Sequence, residues 1–341
     1  MKGKMKRLAI NLGAIVFIVL LIIYFVVNVN NDLQSSSKKQ GFDVLLMDKD
    51  FNSLAFQGDI LWAGGANGLF KVDRKTLKSD EVGSFKFIRA LLITKQGLWV
   101  GHDNGLTLIE KNGSSATVSY TTQNGLPDNR VNALMEDKDG SLWVGTWGGA
   151  AKFDGKSFAV LTAKDGLLDD MVNVISADNQ GGIWFGSYVA PRGGISVLRD
   201  GKWQYFTTKD ALLHANVNAI IQLNDHSMLC GGGLYTFGGG TKFVFQNDTW
   251  VKTSTLTKAD GIAGEKVRSL YEDSKGKLWV GSEYDGLAVF ATANWPTTSF
   301  KLDNKSGLSS NEVKKIVEDV DGNIWLGTRR GITKLTRGVG F

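Results

Sequence analysis

Cysteine occurs once in the 341 residues, at Cys230, and histidine three times, at His102, His214 and His226. One cysteine excludes an intrachain disulfide. The histidines are far apart, and no His-x-His, HExxH or paired-cysteine spacing occurs, so the usual frames for a transition-metal site are missing. No serine lies in a Gly-x-Ser-x-Gly elbow. These gaps leave no catalytic constellation and call for no cofactor. Net charge is also lacking where it would matter. Six of the 39 bases and one of the 34 acids fall in residues 1–40, which leaves 33 of each in the other 301. The basic pI therefore belongs to the N-terminus, and nucleic acid is not an expected partner.

The N-terminus holds the chain's one long apolar run. Lys2, Lys4, Lys6 and Arg7 precede Leu8–Val29, whose strongly polar members are Asn11 and Asn28. At ~1.5 Å per residue such a run crosses a hydrocarbon core of about 30 Å. The cations place the tail in the cytoplasm and everything after the run outside. The reading is a cytoplasmic basic tail (1–7), a transmembrane signal-anchor helix (8–29), a flexible linker (30–40) containing Ser35–Ser37, and a folded domain (41–341). A cleaved signal peptide is the competing reading; it wants a shorter apolar region and an Ala-x-Ala-like site, which VVNVNNDLQSSS does not offer.

What the rest of the chain has in abundance is repetition. Gly125–Thr146 reads GLPDNRVNALMEDKDGSLWVGT: turn, strand, tight turn, strand. Its Trp-x-Gly core recurs at Trp62, Trp99, Trp143, Trp184, Trp279 and Trp325, with a degenerate copy at Leu229-Cys230-Gly231. Cys230 takes the middle position, where the other copies carry Ala, Val, Phe or Leu, so it reads as a buried inert thiol. The anchors lie 37, 44, 41, 45, 50 and 46 residues apart, and 11 or 12 residues before each stands an apolar opener: Phe51, Ile88, Val131, Val172, Val217, Val267 and Val313. Seven units with room for four short strands each predict an all-β, single seven-bladed β-propeller preceded by one transmembrane helix. Residues i and i+2 of a strand share a face, so the Trp supplies bulk between blades and the Gly leaves room for bulk from the next. Phe42–Met47 is expected to supply the missing strand of the seventh blade, pairing near Ile332 and closing the ring.

The pattern GL-x-x-x-x-V-x-x-[LI]-x-[ED]-D-x-x-G-x-[LI]-W-[VL]-G-[ST], well formed at 125–146, 261–282 and 307–328, resembles the two-component regulator propeller repeat. The resemblance implies an extracytoplasmic sensor or accessory module of a bacterial inner membrane, with the propeller in the periplasm or outside the cell and polysaccharide fragments among its ligands. The chain departs from the large sensors of that kind, which continue into a second propeller, a membrane helix and a kinase.

Two features single out candidate residues. The connections between the second and third strands vary in sequence and carry Trp147, Tyr188, Arg192, Tyr284, Arg329 and Arg330; Gly232–Gly240, with Tyr235 and Phe237, reads as another such loop. The residue after each apolar opener is polar in all seven blades: Asn52, Arg89, Asn132, Asn173, Asn218, Arg268 and Lys314. The asparagines are expected to satisfy backbone groups between blades. Arg89, Arg268 and Lys314 are expected to converge at the channel mouth, with Arg329 and Arg330 on the adjoining rim, as a site for an anionic glycan or an acidic protein segment. The acidic turns Asp137–Gly140 and Asp319–Gly322 superficially resemble the start of a calcium loop but lack its other ligand positions, and read as hairpin turns. The alternative functions are an interaction subunit docking a partner in an envelope or secretion assembly and, with least support, a propeller lyase.

Overall fold

Each repeat folds into one antiparallel sheet. The structure, a computed structural model, describes residues 41–111, 117–188, 192–235, 237–292 and 298–338. These residues form seven four-stranded sheets, blades 1–7 in order of their innermost strands: Ser53–Gln57, Ile88–Ile93, Val131–Glu136, Val172–Ala177, Val217–Gln222, Val267–Glu272 and Val313–Glu318. Each innermost strand neighbours the next, and the seventh neighbours the first. The ring closes as expected: Phe42–Leu45 pairs with Gly331–Leu335, Val44 opposite Thr333 and Leu45 opposite Ile332. The predicted helix at 8–29 and its flanks lie outside the described residues; among the described residues no helix is long and apolar enough to cross a membrane.

The core lies between blades, and the Trp-x-Gly motif builds it. Trp143 packs edge-on against Phe185 of blade 4 at 5.4 Å, and Trp325 against Phe56 of blade 1 at 5.8 Å. The glycine is required by close approach. A Cβ on Gly101, Gly145 or Gly231 would stand 2.6, 2.9 or 2.5 Å from the opening valine of the following blade, Val131, Val172 or Val267.

The Asp of the acidic turn pins the indole. Trp143, Trp184, Trp279 and Trp325 donate Nε1–H to Asp137, Asp178, Asp273 and Asp319 at 2.7–3.1 Å. The same aspartates cap their own turns by accepting backbone N–H groups, as Asp319 does from Asp321 and Asn323. In blade 5, where Leu229 replaces Trp, Leu223 replaces the Asp; Asp225, two residues further on, takes the ammonium of Lys242 at 2.7 Å, and Lys242 stands opposite Leu229 in the ladder. Blade 2 has Thr94 at the Asp position, and the buried Trp99 N–H has no acceptor among the described residues.

One expectation is corrected here. Gly232–Gly240 is not a loop, because Met228–Leu234 and Phe237–Gln246 stay paired up to Leu234 opposite Phe237. The glycines let the two backbones approach: a Cβ on Gly238 would meet the Gly232 carbonyl oxygen at 2.4 Å. Tyr235 and Phe237, 70 % and 74 % exposed, ride at the tip of this hairpin.

The indole bond gives a stability prediction. Trp325→Phe takes a donor from the buried Asp319 and should cost about 1–3 kcal/mol more than Trp99→Phe, which deletes an orphan donor while losing the same volume. Urea melts of the two variants measure the difference; equal losses would show that the Asp–indole bond adds nothing to packing.

Candidate functional site

The site begins with a backbone irregularity. In blades 2–7 the first residue of the innermost strand pairs across the ladder and the third pairs with the next position, which leaves the second as a bulge. A bulge re-aims side chains. Here it turns Arg89, Asn132, Asn173, Asn218, Arg268 and Lys314 into the central channel, where Asn52 of blade 1 joins them. With Trp147 and Tyr188 these residues line a cavity of about 450 Å³ at the mouth. A second cavity of about 230 Å³ continues inward, lined also by the residues that follow them.

The asparagines serve the fold. Asn52, Asn132, Asn173 and Asn218 each donate from Nδ2 to the backbone oxygen of the next blade's opener, Ile88, Val172, Val217 and Val267, at 2.9–3.1 Å. Ser269 makes the corresponding bond to the Val313 oxygen at 2.9 Å. These bonds fix each amide so that its Oδ1 is the atom left over. Asn52 Oδ1 accepts from Lys314 at 3.2 Å, and Asn218 Oδ1 from Asn173 at 3.3 Å.

The three cations do line one cavity, but each arrives with an acid. Arg89 pairs with Asp103 at 2.6 Å. Lys314 pairs with Asp50 at 2.7 Å and Glu312 at 3.6 Å. Arg268 lies 3.6 Å from Glu283 and 3.9 Å from Glu312. Glu283 also holds the buried Lys266 at 2.6 Å. Four bases meet four acids, so the mouth is rich in charge and close to neutral. Burial pushes the Glu283 carboxyl up, but the Lys266 hydrogen bond and the Arg268 charge outweigh it and leave the pKa below the usual value.

The other candidates divide. Trp147 carries the guanidinium of Arg130 at 4.4 Å and that of Arg89 at 5.5 Å from its ring centre, so it steadies the mouth cations. Tyr188 lines the mouth. Arg192, Tyr284, Arg329 and Arg330 do not line the cavity. Arg192 is exposed beside Asp169 at 3.5 Å, and Arg330 is exposed on Asp48 at 2.9 Å. Arg329 is exposed, and Tyr284 is 51 % exposed and hydrogen-bonded to Glu283. Arg329 and Arg330, expected on the adjoining rim, sit in the turn beyond Thr328 and outside the cavity lining, where the mouth's own cations are already balanced by acids. The histidines remain apart: His102 bonds Thr107 at 3.1 Å, and His214 accepts from the Asn216 N–H at 2.9 Å.

Sequence reasoning missed the acids and Lys315. A signal for the acids was present. Two of the four, Asp50 and Glu312, immediately precede an opener, as does the base Lys266. In extended chain, the residues on either side of the opener reach the same side.

The chain carries two-component regulator propeller repeats: the family model described as "Two component regulator propeller" matches residues 125–148, 261–284 and 307–330, in blades 3, 6 and 7. Among solved structures, the extracellular domain of a putative hybrid two-component system of B. thetaiotaomicron superposes with TM-score 0.72 at 18 % identity, over 88 % of this chain and 41 % of that one. A second extracellular domain from the same organism, of a putative one-component system, gives 0.69 at 18 % identity, over 87 % and 40 %. A streptogramin B lyase gives 0.64 at 15 % identity, over 86 % and 96 %. At such identities the likeness is one of fold, and the chain spans about two fifths of the first two structures. Among curated proteins there is no match.

The Lys266–Glu283 pair yields a second prediction. Both side chains are largely buried, 6 % and 16 % exposed. Glu283→Gln strands an uncompensated ammonium and should cost about 3 kcal/mol, whereas Lys266→Met/Glu283→Gln should recover most of that. The lowered Glu283 pKa also sets a sign. Its stabilisation is present above the ordinary carboxylate value and is lost as pH falls through the folded one, so the double variant should show a shallower acid limb. Melts across pH 3–7 check both points.

Proposed function

We propose that this chain is a membrane-tethered, outward-facing propeller that binds a ligand at its channel mouth and catalyses nothing, serving as a sensor or accessory module. The segment 8–29 is the tether, the basic tail lies in the cytoplasm, and the propeller stands in the periplasm or outside a bacterial cell. The observation that carries the reading is the convergence of the bulged polar residues with Trp147 and Tyr188 on one open cavity of about 450 Å³. The cavity holds a saccharide fragment well: it presents guanidinium groups, amide oxygens oriented outward by the inter-blade bonds, and a tyrosine ring. Against catalysis stands the engagement of the mouth carboxylates, each already holding a cation. The repeats it carries and the extracellular two-component domains that share its fold support a sensing role by analogy.

A second reading has its own observation. Met47, Phe87, Tyr235, Phe237 and Tyr284, each at least half exposed, occupy connections on the mouth face, as a surface docking a protein in an envelope or secretion assembly would require.

The two readings separate experimentally. Titrating the full chain with uronate-containing and neutral oligosaccharides should give binding that weakens as salt rises. Arg89→Ala/Arg268→Ala/Lys314→Ala should weaken it roughly tenfold or more, as loss of charged hydrogen bonds does. Unchanged binding in that variant would move the site elsewhere. Capture of an envelope protein that is lost in Tyr235→Ser/Phe237→Ser, with no saccharide bound, would favour docking.

A further inference from the structure

Below the mouth, the channel is lined by the residue two after each blade's opener. Six of the seven are small: Ser53, Ala90, Ala133, Val174, Ala219 and Ser269. The seventh is Lys315. The bulge explains why it is there. Simple alternation would send Lys314 and Lys315 to opposite faces, but the extra residue between Val313 and Lys315 lets both line the channel.

Lys315 differs from every other cation lining the channel. Arg89, Arg268 and Lys314 each have a carboxylate within 4 Å. Lys315 has neither an ion pair nor a hydrogen bond among the described residues, and the nearest serines are committed: Ser53 Oγ accepts from the Leu91 N–H at 3.0 Å, and Ser269 Oγ donates to the Val313 oxygen at 2.9 Å. Its side chain is accessible, but to the channel it lines. The protein crowded around that channel desolvates the ammonium and lowers its pKa. A neutral mouth thus continues into a cavity of about 230 Å³ that holds one uncompensated positive charge, with Leu91, Leu134, Ile175, Ile220 and Leu270 also in its lining. The ammonium is exposed and unpaired, so it is free to meet an anion that enters the channel.

We infer that Lys315 is the anchor of a carboxylate-binding subsite inside the channel, and that it takes the carboxylate of a sugar acid whose hydroxyls engage the mouth. A carboxylate accepts from an ammonium in a short charged bond. The inner cavity offers the unpaired ammonium, whereas the mouth above it offers the amide oxygens and guanidinium groups that hydroxyls need. That arrangement fits a uronate terminus, which carries several hydroxyls around its carboxylate, better than the side chain of an acidic peptide, which carries none. The inference rests on the mouth being the ligand face, and it assigns recognition of the ligand's charge to Lys315 instead of to the paired cations.

The test compares D-glucuronate, D-galacturonate and their short oligomers with glucose, galactose and the matching neutral oligomers, by calorimetry on the full chain and on Lys315→Met. Wild type should bind the acids roughly tenfold or more tightly than the neutral sugars. Lys315→Met should lose that preference while binding the neutral sugars as before, and Lys315→Arg should keep part of it. A perturbed Lys315 side-chain NMR signal on adding the acid, without a comparable change on adding the neutral sugar, gives a readout independent of affinity. A preference that survives in Lys315→Met, or equal binding of acid and neutral sugar to wild type, overturns the Lys315 assignment and leaves the mouth reading standing. Binding of neither sugar class, with or without binding of a Glu-rich peptide, overturns the mouth reading and the sugar acid together.

Discussion

The contact on which the rest depends is the seating of each blade's opening apolar residue against the glycine of the preceding Trp-x-Gly. The methyl groups of Val131, Val172 and Val267 occupy the space that a Cβ on Gly101, Gly145 and Gly231 would need. That closeness brings neighbouring innermost strands together, and the tryptophan then fills the wider part of the wedge against the next blade. It also has a local consequence. In blades 2–7 the strand gains one residue directly after the opener, and the resulting bulge points the second and third side chains into the channel. The packing that holds the ring together therefore also furnishes the channel with side chains.

How far this was legible depends on what kind of information each feature carries. Blade number, ring closure and the Trp-x-Gly logic follow from spacing and period-two alternation, and Val44 pairs beside Ile332 as expected. The asparagine girdle was legible as well, because a short amide recurring at one strand position has backbone groups as its natural partners. Lys315 was not, because alternation turns it away from the channel and only the bulge brings it back. The Gly232–Gly240 segment misled for a related reason. Glycine runs read as loops, yet here the glycines permit two strands to approach more closely than side chains would allow. Charge balance lay furthest from view: Lys314 meets Asp50 across more than 260 residues of sequence, a pairing that exists only once the ring has closed.

The Asp–indole bond shows the same scaffold tolerating local loss. Four blades use it, blade 1 uses Gln57 for Trp62, and blade 5 has Leu223 and Leu229 in place of both partners. Blade 2 goes without, and its Trp99 stays buried with an orphan donor. A buried donor without an acceptor is destabilising by about 1–3 kcal/mol, and seven similar interfaces distribute such a deficit so that no single blade must be perfect.

That redundancy separates the site from the fold in energetic terms. The opener, the glycine and the tryptophan hold blades together and are nearly fixed in type, whereas the two residues after the opener face the channel. They differ between blades: Asn with Ser, Ala or Val, Arg with Ala or Ser, and Lys with Lys. Most of these residues also bond or pack between blades, as the asparagines, Ser53, Ser269, Ala133 and Ala219 do, so Arg89, Arg268 and Lys315 are the channel positions where specificity can vary with least effect on the ring. Blade 7 carries this furthest. It is assembled from both ends of the folded domain, and it places two adjacent lysines in the channel, one neutralised by Asp50 and Glu312 and one left free among small neighbours. A paired cation of this kind holds neighbouring segments together, while the unpaired one leaves its charge for whatever enters the channel.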